Sequence, residues 1–153
     1  MKISLLFTAL VAVSAIVACS KKGDDPQPLT PTQLLTAQKW RVSSATIAGP
    51  GQPTIDLTAL SAPCKLDDYV QFADPSTYVV DEGATKCDSR DAQTQLGTWA
   101  FANNDTQLSI SYTGDNYTAT VNELTASSLK LTTVRLQSDG TKATIVQIFT
   151  AIK

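Results

Sequence analysis

Residues 64–87 read CKLDDYVQFADPSTYVVDEGATKC, and this stretch decides the fold. Asp74-Pro75-Ser76-Thr77 is turn chemistry: proline presets φ for the second turn position, and Asp and Ser bond to nearby backbone. Tyr69, Val70 and Phe72 precede the turn, and Tyr78, Val79 and Val80 follow it. These aromatic and β-branched residues suit a pleated, half-buried surface. With Pro75 and Ser76 at the turn centre, antiparallel pairing sets Phe72 opposite Val79, Val70 opposite Asp81, and Cys64 opposite Cys87. The stretch is then a β-hairpin with a cysteine at each open end, and a Cys64–Cys87 disulfide falls in register. A one-residue slip would exchange the two faces of the hairpin.

The chain has 153 residues, and its start is a targeting signal. Met1-Lys2 is a basic beginning, Ile3 to Val17 is apolar but for Ser4, Thr8 and Ser14, and Ile16-Val17-Ala18-Cys19 follows. This is the pattern of a signal peptide over residues 1–18, too short for a comfortable membrane span of about 20 residues. Ile-Val-Ala-Cys resembles a bacterial lipobox, so Cys19 is the expected lipidation site and the membrane attachment. The alternative is an ordinary signal peptide that contains a cysteine. Three cysteines in an exported chain leave one over. With Cys19 acylated, Cys64 and Cys87 remain as one pair in an oxidising compartment, where closing their loop contributes on the order of 3 kcal/mol. Two free buried thiols are the other reading.

Residues 19–29 are polar, with Gly23, Pro26 and Pro28, and read as a flexible tether. Residues 30–153 are of a length that suits one domain. Twelve basic and fourteen acidic side chains leave a formal charge of −2, with no basic patch, so nucleic acid is not an expected partner. Thr30-Pro31-Thr32-Gln33 has capping-box spacing with proline at the first helical position, and predicts a short helix ending by Gln38. Strands are predicted at Lys39–Ile47, with Trp40, Val42, Ser44 and Thr46 on one face, and at the two arms of the hairpin. Others follow at Thr94–Ala102, Thr106–Tyr112, Tyr117–Leu124, Ser128–Leu136 and Lys142–Ile152. Ala48–Pro63 is a long loop in which Ile55–Leu60 forms a helical turn or a short edge segment. Eight strands joined mostly by short turns predict an all-β, up-and-down antiparallel barrel after one short helix. Closure also removes exposed edges.

Certain residues carry a family resemblance. Leu34-Leu35 with Lys39-Trp40-Arg41-Val42, Cys64 with Asp67-Asp68 and Phe72, Asp81-Glu82-Gly83-Ala84-Thr85-Lys86-Cys87, and Gly97-Thr98-Trp99 are similar to the lipocalin-like domain lipoproteins of Bacteroidota. The likeness runs from about Leu34 to the C-terminus. It implies a small eight-stranded calycin-type barrel on a lipid tether, in the cell envelope at the outer membrane, and no particular activity. Relative to true lipocalins, Gln38 stands where the glycine of their Gly-x-Trp would be, and Arg135 is the candidate for their arginine near the last strand. Asp24 and Asp25 resemble the surface-export signal of such lipoproteins, but they follow Lys21 and Lys22, and the stretch equally reads as a solvated linker.

The chemistry is bounded by absences. The chain has no histidine, which removes Ser-His-Asp and Cys-His catalysis and histidine zinc sites. No catalytic residue and no cofactor is expected, and the chain reads as a monomer. Trp40, Phe72, Gly97, Trp99, Phe101 and Tyr112 are the candidate lining of a cavity for a small apolar or amphipathic ligand. Gly97 is read as leaving space beside Trp99 and Phe101. The alternative is an interaction lipoprotein whose barrel these aromatics fill, and which meets an envelope partner through its surface. Asp67, Asp68, Asp81, Glu82 and Asp88 are candidate oxygen ligands for Ca²⁺, without EF-hand spacing; the competing reading is a solvated acidic rim.

Overall fold

The structure is a computed structural model that describes residues 27–153. The expected signal peptide, Cys19 and the first part of the expected tether, with Asp24 and Asp25, lie outside the described residues. The capping box forms at the helix start. The Thr30 hydroxyl accepts from the Gln33 amide, and the Gln33 side chain accepts from the Thr30 amide. Helix α1 (Pro31–Thr36) has six residues, too few to be stable alone. It is held because Leu35 is fully buried and its carbonyl accepts the Trp40 indole N–H at 2.9 Å.

The strands are β1 (Lys39–Ala48), β2 (Ile55–Asp56), β3 (Tyr69–Ala73), β4 (Thr77–Asp81), β5 (Thr94–Ala102), β6 (Gln107–Tyr112), β7 (Asp115–Leu124), β8 (Ser128–Leu136) and β9 (Lys142–Ile152). Eight of them close an up-and-down antiparallel barrel, because β1 pairs with β9 from Lys39 opposite Ile152 to Ala48 opposite Thr144. The two-residue β2 is the short segment in the long loop. It pairs with Thr46 and Ile47 of β1, whereas β3 pairs only with Lys39 and Trp40. A seam therefore opens between β1 and β3. The Ala45 backbone is satisfied there by the loop: its carbonyl accepts from Leu57 at 2.8 Å, and its amide donates to the Thr58 hydroxyl at 2.6 Å.

The hairpin register differs from the sequence expectation by one residue. Phe72 lies opposite Tyr78 rather than Val79, and Val70 opposite Val80 rather than Asp81. The turn takes three residues, Asp74-Pro75-Ser76, between paired Ala73 and Thr77. Inward burial explains the choice: this register buries Tyr78 beside Phe72 and leaves the smaller Val79 on the outer face, where the other register would reverse them. Trp99 fixes it further, since its indole N–H donates to the Ala73 carbonyl at 3.0 Å and its amide to the Ser76 carbonyl at 2.9 Å. The cysteines are bonded, but outside the ladder. Cys64 sits in a 3-10 turn, Pro63–Lys65, and Cys87 in the β4–β5 loop, with Cα atoms 5.3 Å apart.

A second correction concerns β1. A bulge between Val42 and Ser44 adds a residue on β1, so Trp40 and Val42 share the inner face with Ala45 and Ile47, not with Ser44 and Thr46. At one end, α1, the β3–β4 loop and the β5–β6 and β7–β8 turns gather over Leu35, Trp40, Phe72, Trp99, Leu108, Leu129 and Phe149, all buried. This is the closed end. The long β1–β3 loop, the disulfide loop and the β6–β7 and β8–β9 turns surround the other end, the mouth.

Candidate functional site

The closed end is filled by ring packing. Phe72 meets Trp99 edge-on at 5.7 Å, and Trp99 meets Phe101 edge-on at 5.6 Å. Trp40, Phe72 and Trp99 are 0%, 1% and 5% exposed, and Phe101 is half-buried against them. Gly97 leaves no space. A Cβ there would collide with the Ser111 carbonyl and lie 2.5 Å from the Tyr112 Cβ, so the glycine lets Tyr112 lie against the β5 backbone. The expectation of a void beside Trp99 is corrected on this point. Trp99 does border a shallow groove of about 580 Å³ with Thr98, Ala100, Ser109, Ser111 and Thr118. Those side chains alternate with the inward-facing ones, so the groove lies on the outer face of the sheet.

Space inside the barrel lies at the mouth. One cavity of about 300 Å³ is lined by Lys65, Asp68, Val80, Glu82, Gln95 and Tyr112. Another of about 230 Å³ lies among Tyr112, Asp115, Tyr117, Thr133, Arg135 and Gln147, with Leu57 and Ile145. Tyr112 borders both. A narrow cleft of about 60 Å³ joins Trp40, Val42 and Val70 of the β1–β3 seam to Lys65, Asp68 and Val80. Of the six residues proposed from sequence, Tyr112 lines the two cavities and Trp40 the cleft; Phe72, Gly97, Trp99 and Phe101 line none of these three.

The mouth is polar in an organised way. Lys65 Nζ donates to Glu82 Oε1 at 2.7 Å and stands 3.4 Å from Asp68 Oδ2. The Glu82 bond and the Asp68 charge hold the ammonium pKa above its usual value. Lys65 in turn, with lesser help from the Cys87 amide, holds the Glu82 carboxyl below its ordinary range. Asp68 goes the other way: burial pushes its carboxyl up, and Lys65 only partly offsets that. Across the lumen, Arg135 grips Asp115 with two hydrogen bonds, 3.2 and 2.9 Å, and lies 4.7 Å from the Tyr117 ring centroid. Tyr78 meets Tyr112 edge-on at 5.6 Å, and burial pushes the Tyr78 and Tyr117 hydroxyls above the ordinary phenol range.

The five carboxylates weighed for Ca²⁺ are dispersed among separate tasks. Asp67 accepts from the amides of Ala84 and Thr85 and from the Thr85 hydroxyl. Asp81 accepts from the Gly83 amide and the Gln93 side chain, and Asp88 pairs with Arg90. Asp68 and Glu82 share Lys65. Among the described residues, no three acidic or cysteine side chains converge as a metal site. Gly83 has φ of 65°, and a Cβ there would collide with the Asp67 carbonyl, so this glycine lets the disulfide loop fold onto Asp67.

Sequence reasoning missed Lys65, Gln95, Tyr117, Thr133, Arg135 and Gln147 as lining. A signal for most of them was present. Gln95 is in phase with Gly97, Trp99 and Phe101; Thr133 and Arg135 with Leu129 and Leu131; Gln147 with Phe149. Polar residues on the apolar phase of a strand mark where a barrel interior turns wet.

A closed eight-stranded barrel, packed at one end and hollow at the other, belongs to the architectures that fill with side chains or hold one small ligand. A family model described as a lipocalin-like domain matches residues 37–131, more than half of the chain, and the chain belongs to that family. Among solved structures it is similar to bovine odorant binding protein in complex with a selenium-containing odorant. Identity is 14% and the TM-score 0.47, over 83% of this chain and 76% of that one. No curated protein matches the sequence.

Proposed function

We propose that this protein is a lipid-anchored, non-catalytic binding protein of the cell envelope, tethered at the outer membrane through Cys19. It takes a small amphipathic molecule into the barrel mouth. The observation that carries the reading is the division of the lumen: aromatic packing fills the closed end, and cavities of about 300 and 230 Å³ remain at the mouth. Their walls are more polar than apolar, and the polar groups converge around the Tyr112 ring that the two cavities share, which would orient a small molecule there. The signal pattern over residues 1–18 and the polar stretch 19–29 support the anchor and tether. The proposed ligand site is Tyr112 with its neighbours at the mouth, and Trp40 beside the cleft is its reporter.

Two measurements test the proposal. In detergent phase partitioning, the full chain enters the detergent phase and Cys19→Ser stays aqueous or unprocessed; equal aqueous partitioning of both processed forms removes the anchor. In fluorescence titration with fatty acids, retinoids and haem-like compounds, a saturating ligand shifts tryptophan emission, and Tyr112→Ala weakens it. The second reading, an interaction lipoprotein, draws on the filled closed end and on exposed Leu96, Val134 and Leu136. It takes over if no compound saturates.

A further inference from the structure

The smaller mouth cavity, about 230 Å³, is lined by polar groups that the fold itself does not use. Its depth follows from the β8–β9 register. Arg135 opposite Ala143 stands at the lip, Thr133 opposite Ile145 lies one rung lower, and Leu131 opposite Gln147 lies below that. Thr133 is 5% exposed and faces the cavity, in phase with the buried Leu129 and Leu131. Its hydroxyl makes no hydrogen bond with any described residue, and the Gln147 amide and Tyr112 hydroxyl on the same wall are likewise unbonded. A hydroxyl buried without a partner is costly, and such groups persist in native proteins for a reason. At the lip the charges are spent on one another. Arg135 and Asp115 form a two-bond pair, both partly exposed, with the Tyr117 ring against the guanidinium. No other charged side chain is among the described residues that line this cavity.

We propose that this cavity takes an uncharged ring bearing several hydroxyl groups, a cyclic polyol of the size of one sugar ring. A hydroxyl, a carboxamide and a phenol each donate and accept, as does every hydroxyl of such a ring, so the two match without any net charge. An ammonium or carboxylate set on the floor would lose its hydration with no opposite charge to meet. At the lip it would find an ion pair whose members already neutralise each other. A polyol ring also has a face of C–H groups, which suits Leu57, Ile145 and the Tyr112 ring. The volume lies below the range of about 300–1,000 Å³ usual for drug-sized ligands, which limits the occupant to a single small ring. The inference rests on the mouth being the ligand site and adds the chemistry of what it holds.

The test is made on the full chain by calorimetry and saturation-transfer NMR. Glucose, galactose and myo-inositol are the uncharged rings, glucosamine and glucuronate the cationic and anionic ones, and cyclohexanol the ring with one hydroxyl. At least one uncharged polyol should saturate, and should bind about tenfold or more tightly than the charged rings and cyclohexanol, the worth of one or two net hydrogen bonds. Thr133→Val removes the hydroxyl and keeps the shape. It should weaken the polyol about fivefold or more and leave cyclohexanol unchanged. Its Tm should be unchanged or raised, because the hydroxyl has no partner in the protein alone. Gln147→Met is the second variant, with the same loss of polyol binding expected. A fall in Tm in Thr133→Val shows that the hydroxyl serves the fold, and overturns the proposal. Equal or tighter binding of a charged ring or of cyclohexanol overturns the choice of ligand and leaves the mouth as a binding site. Saturation by none of the six compounds also overturns the proposal. If no fatty acid, retinoid or haem-like compound saturates either, the reading of the mouth as a ligand site falls with it.

Discussion

The two ends of this barrel are made by the same strands and held by different physics. At the closed end, inward residues are Trp, Phe and Leu, and each tryptophan also ties down an outer element: Trp40 holds α1 through Leu35, and Trp99 holds the β3–β4 turn through Ala73. At the mouth, inward residues are Lys65, Asp68, Glu82, Gln95 and Arg135, and the loops are held by a disulfide, ion pairs and the Asp67 cap on Ala84 and Thr85. Close packing leaves no room for a ligand, whereas a polar wall held by point contacts tolerates a void. One barrel can thus keep close packing at one end and open space at the other.

The largest effect should come from breaking the closed end. Trp99→Ala removes the ring between Phe72 and Phe101 and the donor to Ala73, and should cost about 4 kcal/mol in urea denaturation. A cost under about 1 kcal/mol would show that the end is not close-packed. Next is the clasp at the mouth. Reduction of Cys64–Cys87 should lower stability by about 3 kcal/mol or less. It should also raise hydrogen exchange in residues 64–88 before it reaches β5 and β6. Uniform loss of protection would mean that the two ends are one cooperative unit.

Gly97→Ala sharpens the boundary between the ends. The added methyl meets the Ser111 carbonyl and Tyr112, so a loss of about 2 kcal/mol, as in overpacked cores, is expected, together with a displaced Tyr112 ring. A neutral substitution would mean that the space beside Trp99 is real. The smallest effect is that of acid. Asp67 is depressed first by the Thr85 hydroxyl, and Glu82 by Lys65. Their stabilisation is present above the unfolded values of about 4 and is lost as pH falls through the lower folded ones. Asp68, raised by burial, opposes this, since protonation relieves its cost. The mouth loops should therefore loosen below about pH 4 while the near-ultraviolet signal of the tryptophans persists. Simultaneous loss of both would erase the distinction.

The eight barrel strands, the capping box, the position of most turns and the cysteine pair were legible from local rules, because turn chemistry and alternation act over a few residues. The inward phase of β5 and β8 was legible too. Alternation alone could not choose between Tyr78 and Val79 as the inner partner of Phe72. That depended on Trp99, which is distant in sequence and donates to both sides of the turn. The bulge in β1 was equally hidden, since an extra residue leaves no mark on composition. The cysteine pairing was right while the register that suggested it was one residue off, because loops flanking the strands can bring Cα atoms together without a ladder. The amino-acid order by itself determined which elements form and that they close. Tertiary structure decided which end is filled, since whether Gly97 makes a hole or a seat for Tyr112 is set by the neighbouring strand, and whether Asp68, Glu82 and Lys65 meet is set by a disulfide that folds one loop over another.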